Sequence, residues 1–211
     1  MLKEKIFSCP DPPKSLPALR RKIVSFFRTL KQPIFQNMFQ NLRNGVKVGT
    51  ILVNEGGDVY EVSEARVHPE YTNYAQNDIA IVKLKSPISF NEKVQPIALE
   101  TEYVDADVKC VLTGWGSLQF PGTESNELQQ LNLKTVTNTE CSTILTDNID
   151  ETKICTFTKA GEGSCVGDSG GPLVADKQIG IVSYGIPCGI GYPDVFTRVS
   201  AYKDWIEQNR H

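Results

Sequence analysis

Residues 161–176 read GEGSCVGDSGGPLVAD, and the run Gly167-Asp168-Ser169-Gly170-Gly171-Pro172 inside them decides how the rest of the chain is read. Glycine permits the dihedral angles of a sharp turn and lets a substrate carbonyl approach the backbone closely. A serine on such a turn has the setting of a nucleophile. The same turn can aim the N–H groups of Gly167 and Ser169 at one point, where an oxyanion would develop. Asp168 is a charge in a crowded turn and needs a partner. With a cysteine just upstream and an apolar strand following, the run is more than a glycine-rich hairpin holding an incidental serine. Such a serine needs a base, and the 211-residue chain has two histidines, His68 and His211.

Outward from this run the texture is β. The stretches VKVGTILV, DVYEVSEARV, DIAIVKL, KCVLTGWG, LQQLNLKTV, KICTF, GPLVAD, QIGIVSYG and DVFTRV alternate or are rich in β-branched residues, with turn residues between them. Strands at this spacing indicate a sandwich or barrel. The pattern predicts one helix, at the C-terminus, capped by Ser200 with Tyr202, Trp205 and Ile206 near one face.

Length allows one large all-β domain or two small ones with a sizeable core. No apolar run is long enough to span a bilayer, and nothing in the sequence suggests nucleic-acid binding, a metal or an organic cofactor. The net charge of −3 is unevenly spread: residues 1–45 hold nine Lys/Arg against Glu4 and Asp11, and the remainder holds 13 basic and 23 acidic residues. This division, with prolines at 10, 12, 13 and 17, sets residues 1–44 apart as an atypical basic segment from a body over 45–211. Within the segment, ALRRKIVSFFRTL (residues 18–30) carries Leu19, Ile23, Phe26, Phe27 and Leu30 at helical spacing, a basic amphipathic pattern. The six cysteines are Cys9, Cys110, Cys141, Cys155, Cys165 and Cys188; no C-x-x-C pair suggests zinc, so disulfides and an oxidising compartment are expected. The first residues nevertheless lack the apolar stretch of a signal peptide.

The chain resembles the chymotrypsin-like serine proteases. Besides Gly167–Pro172 it carries NDIAIVKL at 77–84, LTGWG at 112–116, SYG at 183–185 and PDVFTRVSAYKDWI at 193–206, in the family's order and spacing. The resemblance implies an all-β double barrel with a C-terminal helix, an extracellular location, and protein or peptide substrates cleaved through an acyl-enzyme. It makes Ser169 the nucleophile, Gly167 and Ser169 the oxyanion donors, and Asp78 the carboxylate that orients the catalytic histidine. Ser183, Tyr184 and Gly185 resemble the strand that pairs with extended substrate. Gly163, Gly185 and Asp194 correspond to the walls of the specificity slot. Glycines at 163 and 185 leave it open for Phe, Tyr or Leu, and Asp194 is either a loop aspartate facing water or a carboxylate that adds acceptance of Arg and Lys. Two family disulfides map to Cys141–Cys155 and Cys165–Cys188. Cys110 matches a family cysteine whose mate would fall near Ala175, so it and Cys9 are expected to be free or joined only opportunistically.

The departures are as informative as the matches. The family's histidine stands in a Thr-Ala-Ala-His-Cys stretch, and none exists here. His68, in ARVHPEYTN, reads as a solvated strand-end residue, and His211 ends the chain. The Ile-Val-Gly-Gly start whose free amine pairs with the aspartate matching Asp168 is missing. Lys22-Ile23-Val24 is followed by Ser25-Phe26-Phe27 instead of glycines. The first barrel is therefore expected to be incomplete and the second whole. Two functional readings follow: an endopeptidase homologue whose complete form cleaves peptide bonds, or a catalytically inactive or truncated homologue that binds peptides or partner proteins.

Overall fold

The computed structural model describes residues 3–4, 45–72, 75–186 and 188–210. The amphipathic stretch at 18–30, Cys9 and His211 lie outside the described residues. Among the described residues, eleven strands run in chain order: β1 (Lys3–Glu4), β2 (Val46–Val48), β3 (Asp58–Tyr60), β4 (Val62–Val67), β5 (Ala80–Leu84), β6 (Lys109–Gly114), β7 (Gln129–Val136), β8 (Lys153–Thr156), β9 (Pro172–Val174), β10 (Gln178–Gly185) and β11 (Asp194–Arg198). Strands β6–β11 close into a six-stranded antiparallel barrel, paired β6–β7–β8–β11–β10–β9 and back to β6. Closure removes the free edges that an open sheet would present. The expected whole second barrel is present.

Sequence alternation builds its core. Along β7 the side chains of Gln129, Leu131, Leu133 and Thr135 are buried while the residues between them are exposed or half-buried. That period of two is what a strand with one face toward a core requires. Cys110, Leu112, Leu131, Leu133, Ile154, Leu173, Ile179, Val182 and Phe196 form one buried cluster. Each large aliphatic side chain so buried is worth about 1.5–3 kcal/mol of transfer free energy.

The first half is only part of a barrel. Val46–Val48 pairs with Asp58–Tyr60, and Val62–Val67 pairs with Ala80–Leu84, as two separate two-stranded sheets. Apolar residues of this half are poorly covered, with Val59 of β3 55% and Phe90, beyond β5, 59% exposed. The half is tied to the barrel by hydrogen bonds from Val53 N–H to the Asn126 carbonyl and from Leu128 N–H to the Ile51 carbonyl. Strand β1, inside the segment set apart by charge, pairs in parallel with Gln129 and Gln130.

Two helical features differ from the sequence reading. A helix α1 (Asn138–Leu145) stands where none was expected, and its Thr137 Oγ1 accepts from the Glu140 N–H at 3.1 Å. At the C-terminus a 3₁₀ turn, Val199–Tyr202, precedes α2 (Lys203–Asn209). Ser200 lies inside that turn, and no side chain caps it.

Candidate active site

Ser169 is exposed on the turn between β8 and β9. That turn is closed by hydrogen bonds from Asp168 N–H to the Cys165 carbonyl (3.0 Å) and from Gly171 N–H to the Asp168 carbonyl (2.9 Å). Gly167 has φ of +95°, a conformation that an L side chain rarely adopts. The Glu124 side chain lies against it, since a Cβ added at Gly167 would stand 2.7 Å from Glu124 Cγ.

Asp168 is 2% exposed. Its Oδ1 accepts from Gly116 N–H and its Oδ2 from Cys165 N–H, both at 2.9 Å. A Cβ would fall 2.2 Å from Asp168 Oδ1 if placed on Gly114 and 2.4 Å from Asp168 Cγ if placed on Gly116. The two glycines of LTGWG therefore make the room that this buried carboxylate occupies.

Asp78 stands at the end of a turn in which Ala75 (φ 61°) and Asn77 (φ 49°) adopt left-handed conformations. Four groups from the second barrel and the 3₁₀ turn that follows it hold that turn. Ser183 Oγ donates to Asp78 Oδ2 at 2.6 Å, and Thr197 Oγ1 donates to the Asp78 carbonyl at 2.8 Å. Tyr202 O–H donates to Asn77 Oδ1 at 3.1 Å, and Lys153 Nζ donates to the Ala75 carbonyl. One strand serves both candidate catalytic residues: the Val182 carbonyl of β10 accepts from Gly170 N–H at 3.0 Å, and the next residue, Ser183, holds Asp78.

Lys153 is 4% exposed, and burial pushes its amine pKa down, against the opposing pull of Asp78 and Asp150. Its ammonium lies 5.8 Å from the centroid of the Tyr184 ring. The Tyr184 phenol donates to Asp147 Oδ2 at 3.4 Å, and burial, with the charge of Asp147, holds its pKa well above the ordinary phenol value.

Gly163, Gly185 and Asp194 meet around one carboxylate. Asp194 is 3% exposed, with Oδ2 accepting from Ser164 N–H at 2.7 Å and Oδ1 from Ser164 Oγ at 2.9 Å. A Cβ on Gly163 would lie 2.7 Å from Asp194 Oδ2, and one on Gly185 would lie 2.9 Å from Oδ1. Of the two readings of Asp194, the water-facing loop residue is excluded by its burial at the head of β11. Both glycines face this carboxylate, whose oxygens are the nearest atoms to a Cβ at either position. The Cys165–Cys188 disulfide borders this region, and Cys141–Cys155 ties α1 to β8. Cys110 is buried with a free thiol.

His68 is elsewhere employed. Its Nδ1 accepts from Glu70 N–H at 3.2 Å, and its ring packs 5.6 Å from Tyr202 and 5.1 Å from Trp205. The expected solvated residue is a packing residue that seats the C-terminal helix. Sequence reasoning also missed Ser164, Thr197 and Lys153. Ser164 had a signal in its place between Gly163 and Cys165; Thr197 and Lys153 had none, because their roles arise only when β8, β10 and β11 converge on the Ala75–Asp78 turn. Among the described residues, no group of three or more His, Cys, Asp or Glu side chains could hold a metal ion. Nor is any helix among them long and apolar enough to cross a membrane.

A closed antiparallel barrel, a second partial β unit, and a serine turn and carboxylate held by one strand between them define a serine-protease homologue. Comparison with known proteins agrees: residues 36–206 match the family described as Trypsin, and the chain belongs to it. It is 44% identical over 168 residues to "Chymotrypsin-2" of Vespa crabro, covering 78% of this chain and 77% of that protein. It is 38% identical over 162 residues to "Trypsin II-P29" of Gallus gallus, covering 74% of this chain and 65% of that protein. The "Clotting factor G beta subunit" of Tachypleus tridentatus is 32% identical over 191 residues, 80% of this chain and 62% of its own length.

Proposed function

We propose that the chain is a chymotrypsin-like endopeptidase homologue that binds extended peptides and, having no base of its own, does not hydrolyse them at a protease's rate. The observation that carries this is the engagement of His68 with Tyr202, Trp205 and Glu70 N–H. In complete relatives Ser169 would attack the scissile carbonyl, Gly167 and Ser169 N–H would receive the oxyanion, and Asp78 would orient an imidazole. Here that imidazole is missing. In subtilisin, loss of the histidine alone costs on the order of 10⁶ in turnover.

Substrate would lie along Ser183–Gly185, with one side chain entering between Gly163 and Gly185. Glycine walls favour Phe, Tyr or Leu, and the buried Asp194 adds acceptance of Lys and Arg. The boundary between the basic segment 1–44 and the protease body at 45 belongs to the same proposal. So does an extracellular setting, supported by the two disulfides.

A fluorophosphonate probe tests the reading. Labelling of 1–211 at Ser169 is expected to be at least ~10³-fold slower than labelling of an intact family protease, scaled from the same histidine-loss figure. Rapid labelling abolished by Ser169→Ala would overturn it, and loss of that labelling in a folded His68→Ala variant would make His68 the base. For the slot, a version with the catalytic histidine restored is profiled on a peptide library beside its Asp194→Gly variant. Cleavage after basic residues should disappear in the variant; its persistence removes Asp194 from the reading.

A further inference from the structure

We propose that Ser169 is served by a base carried on the peptide, and that this chain selectively cleaves peptides with a histidine on the acyl side of the scissile bond. This rests on the reading above, that nucleophile, oxyanion donors and orienting carboxylate persist without an imidazole. Three observations favour it. Ser169 is exposed on a turn whose Gly167 keeps its left-handed backbone. Asp78 is held by Ser183 Oγ on one carboxylate oxygen and by Thr197 Oγ1 through its carbonyl. One strand links the two turns: Gly170, the neighbour of Ser169, donates to the Val182 carbonyl, and the next residue, Ser183, donates to Asp78 Oδ2.

The chemistry balances without a further reactant but water. The neutral imidazole of the peptide takes the Oγ proton as the Oγ–carbonyl carbon bond forms, and Asp78 steadies the resulting imidazolium. Gly167 and Ser169 N–H hold the oxyanion. Collapse breaks the carbon–nitrogen bond, and the imidazolium returns its proton to the departing amine. A histidine on the acyl side remains attached to the enzyme, takes a proton from the water that opens the ester, and returns it to Ser169 Oγ as the acyl–oxygen bond breaks. A histidine on the leaving side departs with the amine, so the acyl-enzyme should form once and stall.

A positioned general base contributes roughly 10²–10⁴ in rate, and a base on a mobile peptide retains part of that. The test uses oxidised 1–211 and quenched peptides of one sequence, with Phe on the acyl side of the bond and either His or Ala immediately before it. The His peptide should be cleaved at least about tenfold faster, with a rate rising through the ordinary histidine pKa of about 6.5. Ser169→Ala should abolish cleavage, and Asp78→Asn, which keeps a partner for Ser183, should slow it at least about tenfold, within the range assigned to the base. Equal rates for the His and Ala peptides, or cleavage that survives Ser169→Ala, overturns the inference. Rapid labelling by a histidine-free fluorophosphonate would instead overturn the reading beneath it, because the chain would then have its own base.

Discussion

The unpaired Cys110 gives a quantitative check on the barrel. The β6–β9 register pairs Val111 with Val174 and Leu112 with Leu173, which sets Cys110 opposite Ala175. Both residues contribute to the same apolar cluster. In Ala175→Cys, made with Cys9→Ser to leave one new pairing, the two sulfurs face each other across the ladder. They are 65 residues apart in sequence. Closing a loop of that size removes unfolded-state entropy worth about 4 kcal/mol in the chain-entropy model. For a protein of this length that corresponds to a rise in Tm of roughly 8–16 °C. Burial pushes the Cys110 thiol up to about 12, so its thiolate fraction at pH 8 is on the order of 10⁻⁴. The bridge should therefore form during oxidative refolding, before the thiol is buried, and only slowly when oxidant is added to folded protein. Non-reducing peptide mapping should find Cys110 joined to the cysteine introduced at position 175, with the two native bridges unchanged. Melting of the oxidised variant should exceed that of the Cys9→Ser parent. A mapped Cys110–Cys165 link, or a correct bridge that leaves Tm unchanged or lower, would refute the register.

Three further outcomes follow from the geometry. Gly116→Ala places a methyl group 2.4 Å from Asp168 Cγ; displacing a buried carboxylate should cost about 3 kcal/mol, read as a lower urea midpoint, and a neutral result would remove Asp168 from its corner. Lys153→Met should remove a stabilising contribution that grows as pH rises toward 10. The lowered amine pKa means that the unfolded chain binds more protons below the ordinary lysine value near 10.4, so wild-type stability gains from this residue as pH rises toward it; Tyr184 and Tyr202, with raised pKa values, act oppositely in both proteins, and identical urea midpoints from pH 8 to 10 would refute the assignment. Thr137→Ala removes the acceptor for Glu140 N–H and should cost about 1 kcal/mol in thermal unfolding; no loss would mean the cap is idle.

What the chain discloses in sequence and what it withholds divide along the range of the interactions. Period-two burial is local, so β7 and its Leu131 and Leu133 are legible in the residue pattern alone. Glycine motifs are legible too, though their reason is not: Gly114 and Gly116 are fixed by a carboxylate more than fifty residues away. Helix α1 escapes a reading by periodicity because Asn138–Leu145 shows no apolar stripe and buries only Cys141. Its signal is the Thr137-Asn138-Thr139-Glu140 spacing of a capping box, with the turn held by a disulfide to β8. The burial of Asp194 needed the fold, since only the convergence of Gly163, Ser164, Gly185 and β11 turns a turn-like Pro193-Asp194 into a buried acceptor. The same holds for His68, whose neighbours are separated from it by more than 130 residues of chain. A single imidazole cannot both seat the C-terminal helix between Tyr202 and Trp205 and attend Ser169. The packing that makes His68 intelligible is thus the observation on which the proposed absence of a base for Ser169 rests.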